Sequence, residues 1–288
     1  MGSVRPATAR SGADASPPAP DALRCGVAAP VVAHPAFTPY ARWHSPPPAS
    51  ALPGLAALNR WARAAALALP DGRPLAFVAP PAVPLSALEY ERRIAATGEI
   101  ATRADNRHDA CNALAWLGLP RTKAALNAIH VAAPQAASGN RRDRSRDAAT
   151  LLDESGMLAA CADASLVGLW KAHRWREAFL DRRDDVRASL RVVAIGHGLL
   201  AKLFAPFRAI TAKVLVLPLP AAALPEDPAA LAAVLDAAAA AALGARGAAF
   251  APSDLLPLPV AALPGWDVEG RGAALFEDTA VFRPRVLR

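Results

Sequence analysis

The sequence predicts a predominantly helical α+β fold in one domain, with a β-hairpin and a short strand, and three observations carry that reading. Apolar residues recur at intervals of three and four in several windows. β-branched and small apolar residues alternate with turn signals in only a few short runs, chiefly Leu75–Val78, 148–160 and Ile210–Leu217. Between residues 24 and 286 no stretch has the composition of a linker, so we expect one globular domain there. Residues 1–23 are Pro, Ala, Ser and Arg with little to bury, and read as a disordered tail.

In order, residues 24–50 hold Phe37, Tyr40 and Trp43 among prolines and read as an irregular surface arm. Leu55–Leu69 is the first helix, with Leu55, Leu58, Trp61 or Ala62, and Ala65 at helical spacing before the Pro70-Asp71-Gly72 turn. Ser86 and Glu89 form a capping box for a helix that Gly98 ends. Asn106–Gly118 and the segment after Pro120 read as two amphipathic helices, followed by a polar loop at 139–147. Two short apolar runs around Asp153-Glu154-Ser155-Gly156 read as a β-hairpin over 148–160. A helix over 165–180, a strand over Ile210–Leu217 and an Ala-rich helix from Pro228 to Leu243 follow. The remainder reads as Pro-rich and irregular.

Composition narrows the function classes. The net charge of +7 permits an anionic partner, but 28 of the 32 basic residues are Arg in a chain rich in Ala and Pro, so part of the excess is compositional. The Arg-rich 141–146 segment lacks interleaved aromatics and is a weak signature for nucleic acid or another polyanion. Cys25, Cys111 and Cys161 are widely spaced, which suits neither a disulfide framework nor a zinc motif. Charged residues or prolines interrupt every long apolar run, so no membrane contact is expected, and without an export signal a cytoplasmic location is.

One stretch concentrates the rare polar residues. Residues 100–130 contain three of the chain's five Asn, two of its six His and one of its four Lys. On the predicted helices His108 and Asn112 share one face, and Lys123, Asn127 and His130 share another. Asn is a poor mid-helix residue, so Asn112 and Asn127 point to a site or an internal polar network. The Gly196-His197-Gly198 triplet places an imidazole where the backbone can be approached closely. We therefore take His108, His130, His197, Asn112 and Asn127 as candidate catalytic residues. Arg103, Lys123, Arg146, Asp153 and Glu154 are the candidate substrate-binding residues. A neutral His would serve as general base, the cations would hold negative charge, and the Asn pair would orient the substrate. The expected function is an enzyme or small-ligand-binding protein for an anionic substrate, hydrolytic or metal-assisted. The alternatives are polyanion binding through 141–146 and a polar network that only fixes packing. Asp109 fits a helix cap instead. His108, Asp109, His130, Asp153, Glu154 and His197 could supply a His/carboxylate metal site, but no fixed spacing picks out ligands, so neither metal nor cofactor is named.

Four ordered blocks carry a resemblance. They are the Thr102–His130 stretch with Asp105-Asn106, His108-Asp109, Asn112-Ala113-Leu114, Trp116, Pro120, Lys123 and Leu126-Asn127; Arg146–Gly156 with Asp153-Glu154; Gly196–Pro206; and Val281–Pro284. Together they resemble a bacterial domain-of-unknown-function family, number 3025. The resemblance spans most of residues 55–285 and implies a bacterial, cytoplasmic, single-domain protein with no assigned activity. Ala201 departs from the pattern, which would place a carboxylate before Lys202.

Overall fold

A computed structural model describes residues 34–43, 52–132, 143–267 and 269–284. The predicted tail at 1–23 lies outside these. Pro35–Trp43 is a 3-10 helix whose Phe37, Tyr40 and Trp43 are all buried. The expected surface arm is therefore core at this point, because three large aromatics in nine residues bury more apolar area than a surface path could leave in water. The Tyr40 hydroxyl donates to the Ala194 carbonyl, so the polar tip is satisfied too.

Helix α1 spans Leu55–Ala64 and stops short of Leu69 because Ala66 takes a left-handed conformation, φ 47°. Strand β1 is Ala76–Val78. Helix α2, Ala87–Thr97, has the predicted capping box, and Gly98 ends it at φ 72°. Strand β2, Glu99–Ala101, pairs parallel with β1. Helix α3 is Arg107–Gly118, with the Asn106 side chain accepting from the Asp109 amide, and α4 is Pro120–Ala132.

The predicted hairpin is not formed. Arg144–Ser155 is helix α5, capped by Asp143, and β3, Gly156–Ala160, follows with no intervening loop. The same bounds correct the second half of the polar loop expected at 139–147, since Arg144 and Arg146 lie in the first turn of α5; 139–142 lie outside the described residues. Ala148, Ala149 and Leu152 are buried at helical spacing, and Ala and Leu favour helix over strand. Asp153 and Glu154, which resemble a hairpin turn, are the last turn of α5.

Helix α6, Ala164–Lys171, ends well before the predicted Leu180, where His173 turns left-handed (φ 58°). One π-turn, Glu177–Asp181, leads into α7, Arg183–Ser189. The apolar segment 190–204 divides into β4, Arg191–Ala194, and α8, His197–Lys202. Strand β5 is Thr211–Leu217 and helix α9 is Pro228–Arg246. The Pro-rich remainder contains β6, Leu255–Pro259, an edge strand, where missing N–H groups are tolerated.

The main sheet has the order β4-β3-β5-β6, with β3 and β5 parallel and both edge pairings antiparallel. Every residue of β3 is buried, as expected of a strand covered on both faces. The buried apolar residues form one cluster running from Ala36 to Phe282. The fold is α+β and mainly helical.

The run 228–249 is, among the described residues, the one helix long and apolar enough by length and composition to cross a membrane. Leu231, Leu235, Ala239 and Leu243 on α9 are buried. Asp236, also buried, accepts from the backbone amides of Arg121 (3.1 Å) and Thr122 (2.7 Å) at the start of α4. Those amides have no partner within their own helix, so α9 caps α4 across the core.

Candidate functional site

Sheet pairing builds the site. Because β3 and β4 are antiparallel, with Met157 opposite Ala194, the start of β3 lies beside the end of β4. The C-terminal turn of α5, with Asp153 and Glu154, is thereby brought against the N-terminal turn of α8, with His197. The amides of Ile195 and Gly196 both donate to the Gly156 carbonyl and fix that contact. A Cβ on Gly196 would come within 2.7 Å of the Glu154 carbonyl oxygen, and one on Gly198 within 2.7 Å of Glu154 Oε2. The two glycines flanking His197 are thus required by close packing on Glu154. Helix α3 packs on α8 and carries His108 to the same point.

There, His197 Nε2 lies 3.2 Å from Glu154 Oε1 and His108 Nε2 lies 3.3 Å from Glu154 Oε2. The imidazoles meet edge to face with centroids 4.4 Å apart. One ligand atom from each of His108, Glu154 and His197 falls within 4.8 Å of the other two. His197 is buried, while the His108 and Glu154 side chains are each 45% exposed, so the cluster opens to solvent on one side. Hydrogen bonds to Asp109 and Glu154 raise the His108 pKa to about 9, and the same imidazoles hold the Glu154 carboxyl far below its usual range.

Asp153 joins this cluster to the interior. Its Oδ2 is 3.6 Å from His197 Nδ1, and its Oδ1 accepts from the Lys123 ammonium, which is 4% exposed. Asn112 Oδ1 also accepts from Lys123 (2.9 Å), and Asn112 Nδ2 donates to the Tyr90 hydroxyl (2.8 Å). Asn127 donates to the Glu91 carboxylate at 2.6 Å and to its backbone carbonyl at 2.8 Å. Tyr90, Glu91, Trp116, Lys123, Asn127, His130 and Asp153 line one narrow cleft. Burial, then the Asp153 charge, lifts the Glu91 carboxyl to about 7. Burial lowers His130, the Asp153 charge opposes that, and the Lys123 and Arg146 cations add to the lowering.

The ten predicted residues therefore fall into three groups. His108, His197 and Glu154 converge on one point. Lys123, Asp153, Asn112, Asn127 and His130 form the polar interior behind it, with Asp153 as the link. Arg103 stands at the rim, 60% exposed, its guanidinium and backbone amide both bound to Asp109. Arg146 lies on α5 near enough for its charge to act on His130. Sequence reasoning missed Tyr90 and Glu91. The available signal was their place beside the buried Ile94 on the face of α2 that meets α4.

Nitrogen and oxygen atoms from α3, α5 and α8 thus converge beside a small sheet in an α+β fold. Residues 75–286 match the family described as Protein of unknown function (DUF3025), and the chain belongs to that family. No curated protein and no solved structure gives a significant match.

Proposed function

We propose that the chain is an enzyme that hydrolyses a small anionic substrate, with its reacting centre at His108, Glu154 and His197. The observation that carries this reading is the convergence of these three side chains, from three separate helices, at a point open to solvent on one side. Nitrogen and oxygen atoms that converge on one small volume are what holding a reacting water in place requires. The polar interior supports it from behind. Asn112, Lys123 and Asp153 are locked together, which ties the two helices that carry His108 and Glu154 to α4. At the rim Arg103 offers an exposed guanidinium edge for a carboxylate or phosphate.

The test is turnover of phosphate esters, carboxylic esters and amides bearing a second anionic group, in buffers with and without divalent ions. The wild type should hydrolyse one class. Glu154→Gln and His197→Ala should each lower kcat by about 100-fold or more, the usual scale for loss of a group acting on the reacting proton. Failure to turn over any class would remove the hydrolytic reading.

A further inference from the structure

We propose that His108, Glu154 and His197 bind one divalent first-row transition-metal ion, Zn2+ by their donor set. The proposal deepens the hydrolytic reading and places its metal at the centre assigned above, although metal binding is measurable without any turnover.

Geometry is the first support. In a tetrahedral zinc site with ligand bonds of roughly 2.0–2.1 Å, neighbouring donor atoms lie about 3.3 Å apart. His197 Nε2 is 3.2 Å from Glu154 Oε1, His108 Nε2 is 3.3 Å from the other oxygen, Oε2, and one ligand atom from each residue falls within 4.8 Å of the other two, so a modest contraction onto one ion closes the set. Two imidazoles and one carboxylate form a three-ligand set that leaves a position for water, the arrangement of catalytic rather than structural zinc. Nitrogen donors disfavour Mg2+ and Ca2+, which select oxygen.

Surroundings are the second support. His197 Nδ1 is buried with no hydrogen bond and faces Asp153 Oδ2 at 3.6 Å. A carboxylate in that position is the usual companion of a metal-bound histidine, and a contracting cluster would draw Nδ1–H toward it. Gly198 keeps open the space that Glu154 Oε2 occupies. Charge is the third support. Asp109, Asp153 and Glu154 surround the two imidazoles, and Arg103 and Lys123 pair with the first two. A divalent ion between the imidazoles would pair with Glu154, and it would add an attraction for an anionic substrate that the paired Arg103 and Lys123 give only in part.

The experiment is metal-free protein, prepared with a chelator, titrated with Zn2+, Mn2+ and Mg2+ by calorimetry, with stoichiometry read by elemental analysis after dialysis. We expect one Zn2+ per chain, weaker Mn2+ and no Mg2+. His108→Ala and Glu154→Gln should each weaken Zn2+ by about 100-fold or more, at the upper end of the losses seen even for supporting partners of a ligand. Both side chains are half exposed, so both variants should keep the wild-type circular dichroism; buried His197→Ala is read only if it does the same. No stoichiometric Zn2+, or Zn2+ affinity unchanged in both exposed variants, overturns the proposal. Zinc bound at this site without turnover on any substrate upholds the metal and removes the hydrolytic reading. Turnover undiminished in fully metal-free protein does the reverse.

Discussion

An ammonium group that is 4% exposed needs both a counter-charge and hydrogen-bond acceptors, and Lys123 has them in Asp153 and Asn112. Removing only the cation strands a carboxylate that is 14% exposed. Lys123→Met should therefore destabilise the protein by about 3–5 kcal/mol, the cost of breaking a buried pair from one side. Lys123→Met with Asp153→Asn should recover much of that loss, and urea melts of the cycle measure the coupling. Glu91 gives a pH effect of opposite character. Its carboxyl rises from 4.5 to about 7, so the folded chain keeps a proton that the unfolded chain has already released. Stability then falls as pH climbs from 4.5 to 7, by up to about 3 kcal/mol from this group, and is flat above. Subtracting urea melts of Glu91→Gln from those of the wild type should isolate that slope; a difference independent of pH would sink the assignment. At this scale rarity made the site legible. Asn112, Lys123 and Asn127 stood out because their types are scarce here and Asn is unfavourable within helices. Glu91 and Tyr90 did not, because a Glu in a helix full of charged residues looks like solvated surface until its neighbours are known.

Elements decide which of these side chains can meet. The junction of α5 and β3 runs from helix to strand without a loop, and Gly196 lies against it. Gly196→Ala would put a methyl against the Gly156 amide and the Glu154 carbonyl, both backbone groups, where nothing yields cheaply. We expect a loss of at least about 1–3 kcal/mol, the scale of overpacking, with thermal melting as the check. Asp236→Ala tests the cap that α9 lends to α4. Two amides at the start of α4 would lose their acceptor, at a cost of about 1–3 kcal/mol in a urea melt. The α2 boundaries were legible because a capping box and a C-terminal glycine are local signals. The helix at 144–155 was not, since Asp-Glu-Ser-Gly carries turn chemistry in isolation and only packing of Ala148, Ala149 and Leu152 into the core makes it helical. Strand β6 was hidden for a related reason: Pro257 and Pro259 argue against a strand until its place at the sheet edge is known.

Over the whole molecule, the net charge of +7 already counts every carboxylate, and on the surface Arg93, Arg103, Arg174, Arg182, Arg187 and Arg208 each pair with one. Such exposed pairs add little stability individually. A metal shared by α3, α5 and α8 would add far more, because an ion that binds only the folded chain stabilises it by mass action. At 100 times its dissociation constant that amounts to about 2.7 kcal/mol, or a rise in Tm of roughly 5–10 °C for a domain of this size. The sign with pH follows from His108. Without metal its ring holds a proton up to about pH 9, so Zn2+ competes with that proton across the neutral range. The zinc-induced rise should grow from pH 6 to pH 8, vanish with chelator, and shrink to roughly 1–2 °C or less in His108→Ala at every pH. A thermal shift that ignored pH, or that survived in full in His108→Ala, would place the ion elsewhere than between α3, α5 and α8.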